Sequence, residues 1–422
     1  MNWTLLDTWM LATGIFSALS CALLGNFLFV RRLSLMGDAI SHAVLPGLAA
    51  AFLITGSRDS GPMLMGAVIA GVLTAVLTQG IAHAGKVEES TSMGIVFTTL
   101  FAVGLLLIVR AADRVDLDPS CVLYGSLELT PLDTIRIGGM TLPRAFLVNT
   151  SVFAVNAAIV WLLFKEFMIG AFDPMLAVTQ GFRPRWMHQL LMALVALTAV
   201  ACFETVGSIL VVAMLIVPAA TARLLSSRLP AMLGLSLAIA AGSAILGHLG
   251  ALTIPRLFGF EDTTTSGMMA VAAGAMFFLA LIFAPGSGVL AHARNQLSLR
   301  RRIENEDALA ALYRRGEGME LATAELPSPR LLHRLERRGF AAESAGVWQL
   351  TPRGKEEAES VIHAHVLWER FLVDHANMRV DHAHQSSERL EHVTTPEMRE
   401  VLAETVEKPV TPPSDGSILP PR

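Results

Sequence analysis

The chain has 422 residues, 53% of them hydrophobic, a formal net charge of -4 and a mean hydropathy of +0.54. Charged residues make up 16%, against about 25% in an average soluble domain, which excludes a wholly soluble protein of ordinary composition. The small net charge gives no bulk electrostatic case for nucleic-acid binding. The charges are also unevenly placed: residues 1–290 hold 14 Lys/Arg and 15 Asp/Glu, whereas 291–422 hold 18 and 21. The first two-thirds is therefore membrane-like and the last third soluble-like. Cys21, Cys121 and Cys202 are far apart in sequence and lie outside the polar tail, so no disulfide framework or thiolate-rich zinc site is expected from them. They read as small apolar packing residues. No basic region precedes the first apolar run, so a cleaved signal is not expected.

A helix needs about 20 residues to cross a bilayer. Apolar stretches of about that length are expected at 8–29, 39–55, 62–84, 92–110, 142–164, 188–203, 206–225, 230–254 and 267–290. Only Phe203-Glu204-Thr205 separates the sixth stretch from the seventh, so a tight hairpin and a re-entrant segment both fit there. Loop charge sets orientation. Arg31, Arg32, Lys86, Lys165, Arg183, Arg185, Arg223, Arg228, Arg294, Arg300, Arg301 and Arg302 all fall on one side if the N-terminus is outside and the spans number about nine. That side is the cytoplasm. From about 300 the pattern changes to a helix start at 304–312, a second helix at 331–338 stopped by Gly339, a short hairpin within 340–350, and helical apolar spacing over 353–376 and 384–406. The Pro/Ser/Gly-rich end, 409–422, reads as extended.

Within the membrane portion, Asp38 and His42 are four residues apart and share a helix face. A carboxylate and an imidazole one turn apart can bind a divalent metal. The same spacing fits Asp38 as a helix cap and His42 packed in a polar seam. Glu204 and His248 are further polar groups in or near spans, where ionisable residues are functional candidates or hydrogen-bonded packing. In the long loop after the fifth stretch, Asp173-Pro174 is an N-cap with Pro at the first helical position, and Gly181 ends the short helix. It suits a docking element for a cytoplasmic partner, or a plain surface helix. A third block, 207–222, carries Pro218 within a span and small residues that permit close packing.

Three blocks carry a resemblance: RRLSLMGDAISHAVLPG at 31–47, FDPMLAVTQG at 172–181 and VGSILVVAMLIVPAATA at 206–222. They resemble, in order, the metal-ion permease family of ABC transporters, the zinc/manganese/iron class, over roughly residues 10–290. The resemblance implies that Asp38 and His42, with Glu204 as a further candidate, lie on the metal route. It implies that Phe172, Asp173, Pro174, Ala177 and Gly181 belong to the helix that couples the permease to an ATPase. No G-x-x-x-x-G-K-[ST] loop occurs in the chain. ATP hydrolysis is therefore expected from a separate subunit, the chain itself being no enzyme, and the further partners implied are a second permease subunit, identical or homologous, and an extracytoplasmic metal-binding protein.

Eight of the twelve histidines follow residue 290. His365 and Glu369 are i, i+4; Glu388, Glu391 and His392 lie within one turn, with His384 a turn earlier. Carboxylate and imidazole without thiolate suits manganese, iron(II) or zinc; a solvated charged face gives the same spacing. This tail resembles the iron/manganese-dependent repressor family, DtxR-like, through a shortened winged-helix segment at 306–353 and the blocks HVLWERFL at 365–372 and ERLEH at 388–392. The resemblance implies that Glu388, Glu391 and His392 belong to a primary metal site, and that His365, Glu369 and His384 contribute to a second, adjacent site or share ligands with the first. The shortened DNA-reading part departs from the family's pattern. Arg330, Arg334 and Arg337 are the candidate phosphate contacts that keep DNA among the partners to test, and a solvated helix face gives the same pattern.

The expectation is thus an all-α polytopic membrane protein of about 8–9 transmembrane helices, in a bacterial inner (plasma) membrane. It divides into a permease domain at 1–295, a truncated winged-helix-like segment at 300–353, a helical metal-binding segment at 354–408 and an extended tail at 409–422. The C-terminal domain is cytoplasmic. The expected function is the permease subunit of an ATP-driven importer of a divalent transition metal, manganese or iron favoured and zinc next, with that metal as substrate and effector and no organic cofactor. A membrane-tethered metal-dependent transcriptional regulator is the alternative. A proton-coupled secondary transporter would leave the coupling block without a purpose.

Overall fold

The computed structural model describes residues 3–33, 37, 39, 43, 45–56, 60–112, 125, 127–137, 140–257, 259, 263–316, 327–344 and 346–407. The chain separates into two compact units, 1–291 and 292–422.

The first unit is helical. In chain order it holds α1 (Leu5–Val30), α2 (Leu45–Thr55), α3 (Ser60–Gly85), α4 (Glu89–Ala112), a 3-10 turn (Leu127–Leu132), a hairpin of β1 (Thr134–Ile137) and β2 (Met140–Pro143), α5 (Arg144–Leu162), α6 (Phe164–Phe172), α7 (Pro174–Thr179), α8 (Pro184–Leu225), α9 (Leu229–Leu257) and α10 (Thr265–Phe283). Eight of the described helices, counting the two halves of α8 separately, are long and apolar enough to cross a membrane, and α2 is a shorter apolar helix. The expected span over 39–55 corresponds to α2, with Gly37, Ala39 and Ala43 also helical.

α1 starts with a capping box: the Asp7 amide donates to Thr4 Oγ1, and Asp7 Oδ2 accepts from the Thr4 amide at 2.8 Å. It is the most enclosed span and packs on α5, α8 and α9. Gly25 allows that approach, because a Cβ there would fall 2.0 Å from the Leu215 carbonyl oxygen. Inter-helix polar contacts tie the bundle. Asn26 Nδ2 donates to Ser236 Oγ at 2.6 Å, Asn156 Nδ2 to Thr198 Oγ1 at 2.7 Å, and the Cys202 thiol to Asn149 Oδ1 at 3.3 Å. In lipid such bonds contribute about 0.6 kcal/mol each.

Neither sequence-level option for 188–225 describes α8 fully. Its helical geometry is interrupted at Gly207, with φ 79° and ψ 164°, a backbone open to glycine. Gly125, also at positive φ, abuts this break: a Cβ on Gly125 would lie 2.4 Å from the Gly207 nitrogen.

The second unit begins within α11 (Val289–Gly316), holds nearly all of that helix, and continues with α12 (Pro329–Arg337), β3 (Ala341–Ser344), β4 (Val347–Leu350), α13 (Pro352–Asp374), α14 (Val380–Leu390), a 3-10 turn (Glu391–Val393) and α15 (Pro396–Glu407). The β3–β4 hairpin pairs Ala341 with Leu350 and Ser344 with Val347. Ala308, Leu309, Leu312, Leu332, Leu335, Ala341 and Ala358 share one small core. A helix, a second helix, a hairpin and a third helix thus close around it, as in a winged helix. The expected helix over 384–406 is broken at 391–395, where the 3-10 turn precedes Pro396.

Candidate metal centre and coupling segment

Of the residues expected on the membrane metal route, Asp38 and His42 lie outside the described residues. Glu204 sits on α8, three positions before the break at Gly207.

The segment expected to couple to an ATPase, 172–181, is built as its cap chemistry dictates. Asp173 Oδ1 accepts from the amides of Met175, at 3.0 Å, and Leu176, at 2.9 Å, and Pro174 occupies the first turn where no donor is missed. At the far end the Phe182 amide donates to the Ala177 carbonyl at 3.0 Å, with Gly181 at φ 84°. Ala177 is buried, while Phe172, Met175, Leu176 and Val178 are exposed. This six-residue helix thus has one buried alanine and an exposed apolar outer face.

In the tail, α13 presents His365 and Glu369 one turn apart, α14 presents His384, and the 3-10 turn presents Glu391 and His392. His365 Nδ1 meets Glu391 Oε2 at 2.6 Å. Its other nitrogen, Nε2, faces His384 Nδ1 at 3.2 Å and Glu369 Oε2 at 3.8 Å. His365, Glu369 and His384 each offer a donor atom, and these atoms lie within 4.8 Å of one another. A second group of the same compactness is Asp307, Glu391 and His392. Here His392 Nδ1 meets Glu306 Oε2 at 2.8 Å, leaving Nε2 toward Asp307 Oδ1 at 3.1 Å and Glu391 Oε1 at 3.5 Å. Arg302 Nε donates to Glu306 Oε1 at 2.6 Å and holds that carboxylate in turn.

The two groups have the same logic. Each buried imidazole has one nitrogen held by a carboxylate and the other turned into a cluster of oxygen and nitrogen donors. That is how a protein fixes the tautomer and aim of a metal-ligating histidine. Glu391 touches both: one oxygen orients His365 of the first group, and the other faces His392 within its own group. The donor sets contain no thiolate and fit a hard or borderline divalent cation.

Electrostatics follow from this geometry. His365 is raised above its ordinary pKa by its hydrogen bond to Glu391, against burial, with the charges of Glu391 and Glu369 adding. For His392, burial pulls the pKa down, but hydrogen bonds to Asp307 and Glu306 outweigh it and push it up to about 9.

Glu388 lies with His384, Oε1 to Nε2 at 3.8 Å, and is exposed. The residues the sequence reading passed over are Asp307 and Glu306. They sit on α11, a helix with no local metal-ligand spacing, and 86 residues separate Glu306 from His392. Of the arginines named for DNA contact, Arg330 and Arg337 are exposed on α12, and Arg334 is half-buried with Nη1 3.5 Å from Glu304 Oε2.

Residues 4–284 match the ABC 3 transport family, which is well over half of the chain. The chain belongs to the ABC 3 transport family. Residues 351–420 match the iron dependent repressor metal binding and dimerisation domain. Among curated relatives, the manganese transport system membrane protein MntD of Bacillus subtilis (strain 168) is 38% identical over 296 residues, covering 70% of this chain and 98% of the relative. The manganese transport system membrane protein MntC of the same organism is 30% identical over 416 residues, covering 93% of this chain and 91% of the relative, so that alignment runs on into the tail. The zinc transport system membrane protein TroD of Treponema pallidum (strain Nichols) is 34% identical over 65% of this chain and 72% of the relative. Among solved structures, PsaBC from Streptococcus pneumoniae in complex with Fab matches at a TM-score of 0.55 and 31% identity, over 67% of this chain and 94% of that one. The chain is thus a multi-pass ABC permease with a repressor-type metal-binding domain at its C-terminal end.

Proposed function

We propose that the chain is the permease subunit of an ATP-driven importer of divalent manganese, and that its C-terminal unit senses the same class of ion in the cytoplasm. ATP hydrolysis belongs to a separate subunit that docks on α7. A second permease subunit and an extracytoplasmic metal-binding protein complete the importer. Asp38 and His42, with Glu204, are the proposed ligands along the route. The Lys/Arg bias of the loops supports a cytoplasmic C-terminal unit.

The observation that carries the sensing half is the pair of thiolate-free clusters linked by Glu391, a member of one and the partner of His365 in the other, in a domain fused to an ABC 3 permease. The relatives named for manganese favour that ion, and oxygen-rich donor sets suit it. Feedback is the natural use of the fusion, since Glu306 and Asp307 sit on α11, the helix that follows the last span.

The test is uptake of radiolabelled manganese, iron(II) and zinc in cells that express the intact chain, or the chain without residues 300–422, with its ATPase and binding protein. Manganese uptake that falls as cytosolic manganese rises, and stays high without the tail, supports both halves. No uptake of any of the three by an assembled complex would overturn the transporter reading in favour of a membrane-tethered regulator.

A further inference from the structure

A cavity of about 830 Å³ opens in the membrane unit where the end of α1, the end of α3, α6 and the start of α8 meet. Among the described residues its polar lining is one-signed: Arg31, Arg32 and Arg185 line it with His83, His188 and Gln79, and none of those described is a carboxylate. Arg31 is anchored within it, Nη1 3.4 Å from His188 Nδ1, and packs over Gly170, where a Cβ would meet Nη2 at 3.3 Å. Arg32 and Arg185 are exposed at the mouth.

The α3 wall continues this cavity into the apolar region. Val76, Gln79, Gly80 and His83 line the cavity, and Met65, Ile69 and Leu73 extend the same helical face at spacings of three and four. Met65, Ile69, Leu73 and Val76 are all exposed, the first at 67% and the last at 43%. From residue 76 to residue 65 this track runs about 16 Å at 1.5 Å per residue. That is close to half of a hydrocarbon core about 30 Å thick, the depth of one leaflet.

We propose that this cavity binds the phosphate headgroup of an anionic phospholipid, with one acyl chain lying along the α3 track. Guanidinium groups bind phosphate oxygens in pairs and are weakly hydrated, so three arginines around one cavity favour phosphate over water. Basic pockets between spans at the headgroup level are a recognised form of anionic lipid recognition. The apolar track is what separates a lipid from free phosphate, since a soluble anion would gain nothing from it. The site needs neither the sensor domain nor the metal route.

The full-length chain, purified in a neutral detergent, is titrated with phosphatidylglycerol, phosphatidylcholine or inorganic phosphate, read by thermal unfolding and by native mass spectrometry of retained lipid. Phosphatidylglycerol is expected to raise the unfolding temperature and to remain bound, with little effect from the other two. Arg32→Gln/Arg185→Gln should weaken phosphatidylglycerol retention by about 30-fold, the effect of losing two basic contacts to an anionic lipid. Arg32→Lys/Arg185→Lys should restore most of it and shows that the site is still folded. Equal protection by phosphatidylcholine, equal protection by inorganic phosphate, or undiminished phosphatidylglycerol retention in the Gln variant would each overturn the proposal.

Discussion

Glu391 faces two imidazoles with two different oxygens, and its substitution should therefore be felt at both clusters. It orients His365 through Oε2 and stands beside His392 through Oε1. In Glu391→Ala, manganese binding to the purified chain, measured by isothermal titration, should weaken at both sites, whereas His384→Ala should weaken one and leave the other. Two independent single-site losses would show that Glu391 is not shared. Glu306 acts through His392 and is a positioning residue. Glu306→Gln keeps the shape but loses the anionic acceptor at Nδ1, and outer partners of this kind are worth about 10–100-fold in metal affinity. The pH profile adds a readout that simple loss of packing would not move. His392 has its pKa raised to about 9, so its imidazolium stabilises the metal-free fold fully below about 6.5, and that contribution fades as pH rises through 9. A cation at Nε2 competes with that proton. Apparent affinity should climb by up to tenfold per pH unit from about 6.5 to 9 and then level off. In Glu306→Gln the levelling-off should come at lower pH; an unchanged profile would remove Glu306 from the role.

At the scale of elements, short helices depend on their caps more than long ones do. α7 has six residues, and Asp173 satisfies two of its first donors. Asp173→Ala should cost about 1 kcal/mol, enough to fray a helix of this length while the spans stay folded. The expected result is a complex that assembles with weaker transport-stimulated ATP hydrolysis, and full stimulation in the variant would exclude α7 as the coupling element. This helix was legible in the sequence because Asp-Pro and Gly are local signals. So were most spans, since about 20 apolar residues in a row state their own length. The Gly207 break was less legible: the polar Phe203-Glu204-Thr205 stretch drew attention, but the backbone interruption falls where Gly125 packs against Gly207, a long-range contact with no local signature. The clusters divide in the same way. The histidines of α13 and α14 could be read by spacing. Glu306 and Asp307 reach His392 only because α11 is packed beside the 3-10 turn, and nothing in a run of charged residues at the head of a soluble domain marks that.

At the scale of the whole chain, the proposed transport ligands and the proposed sensing ligands fall in two units with separate cores, so the two roles should be independently breakable. A membrane carboxylate on the metal route is needed at every turnover, because a cation crossing an apolar slab has few other ligands to replace its water. A tail carboxylate is needed only when cytosolic metal is high. Asp38→Ala should therefore abolish manganese uptake while leaving assembly with the ATPase and manganese binding by the tail unchanged. Glu391→Ala should leave uptake at low metal unchanged and remove its decline at high metal. The pair is informative because a general folding defect would produce neither pattern. Measured side by side as initial uptake rates at low and high cytosolic manganese, with bound metal counted on the purified chains, normal uptake by the Asp38 variant would take that residue off the route. A decline preserved in the Glu391 variant would separate the tail's metal from the control of transport and return weight to a regulator whose target lies outside the membrane.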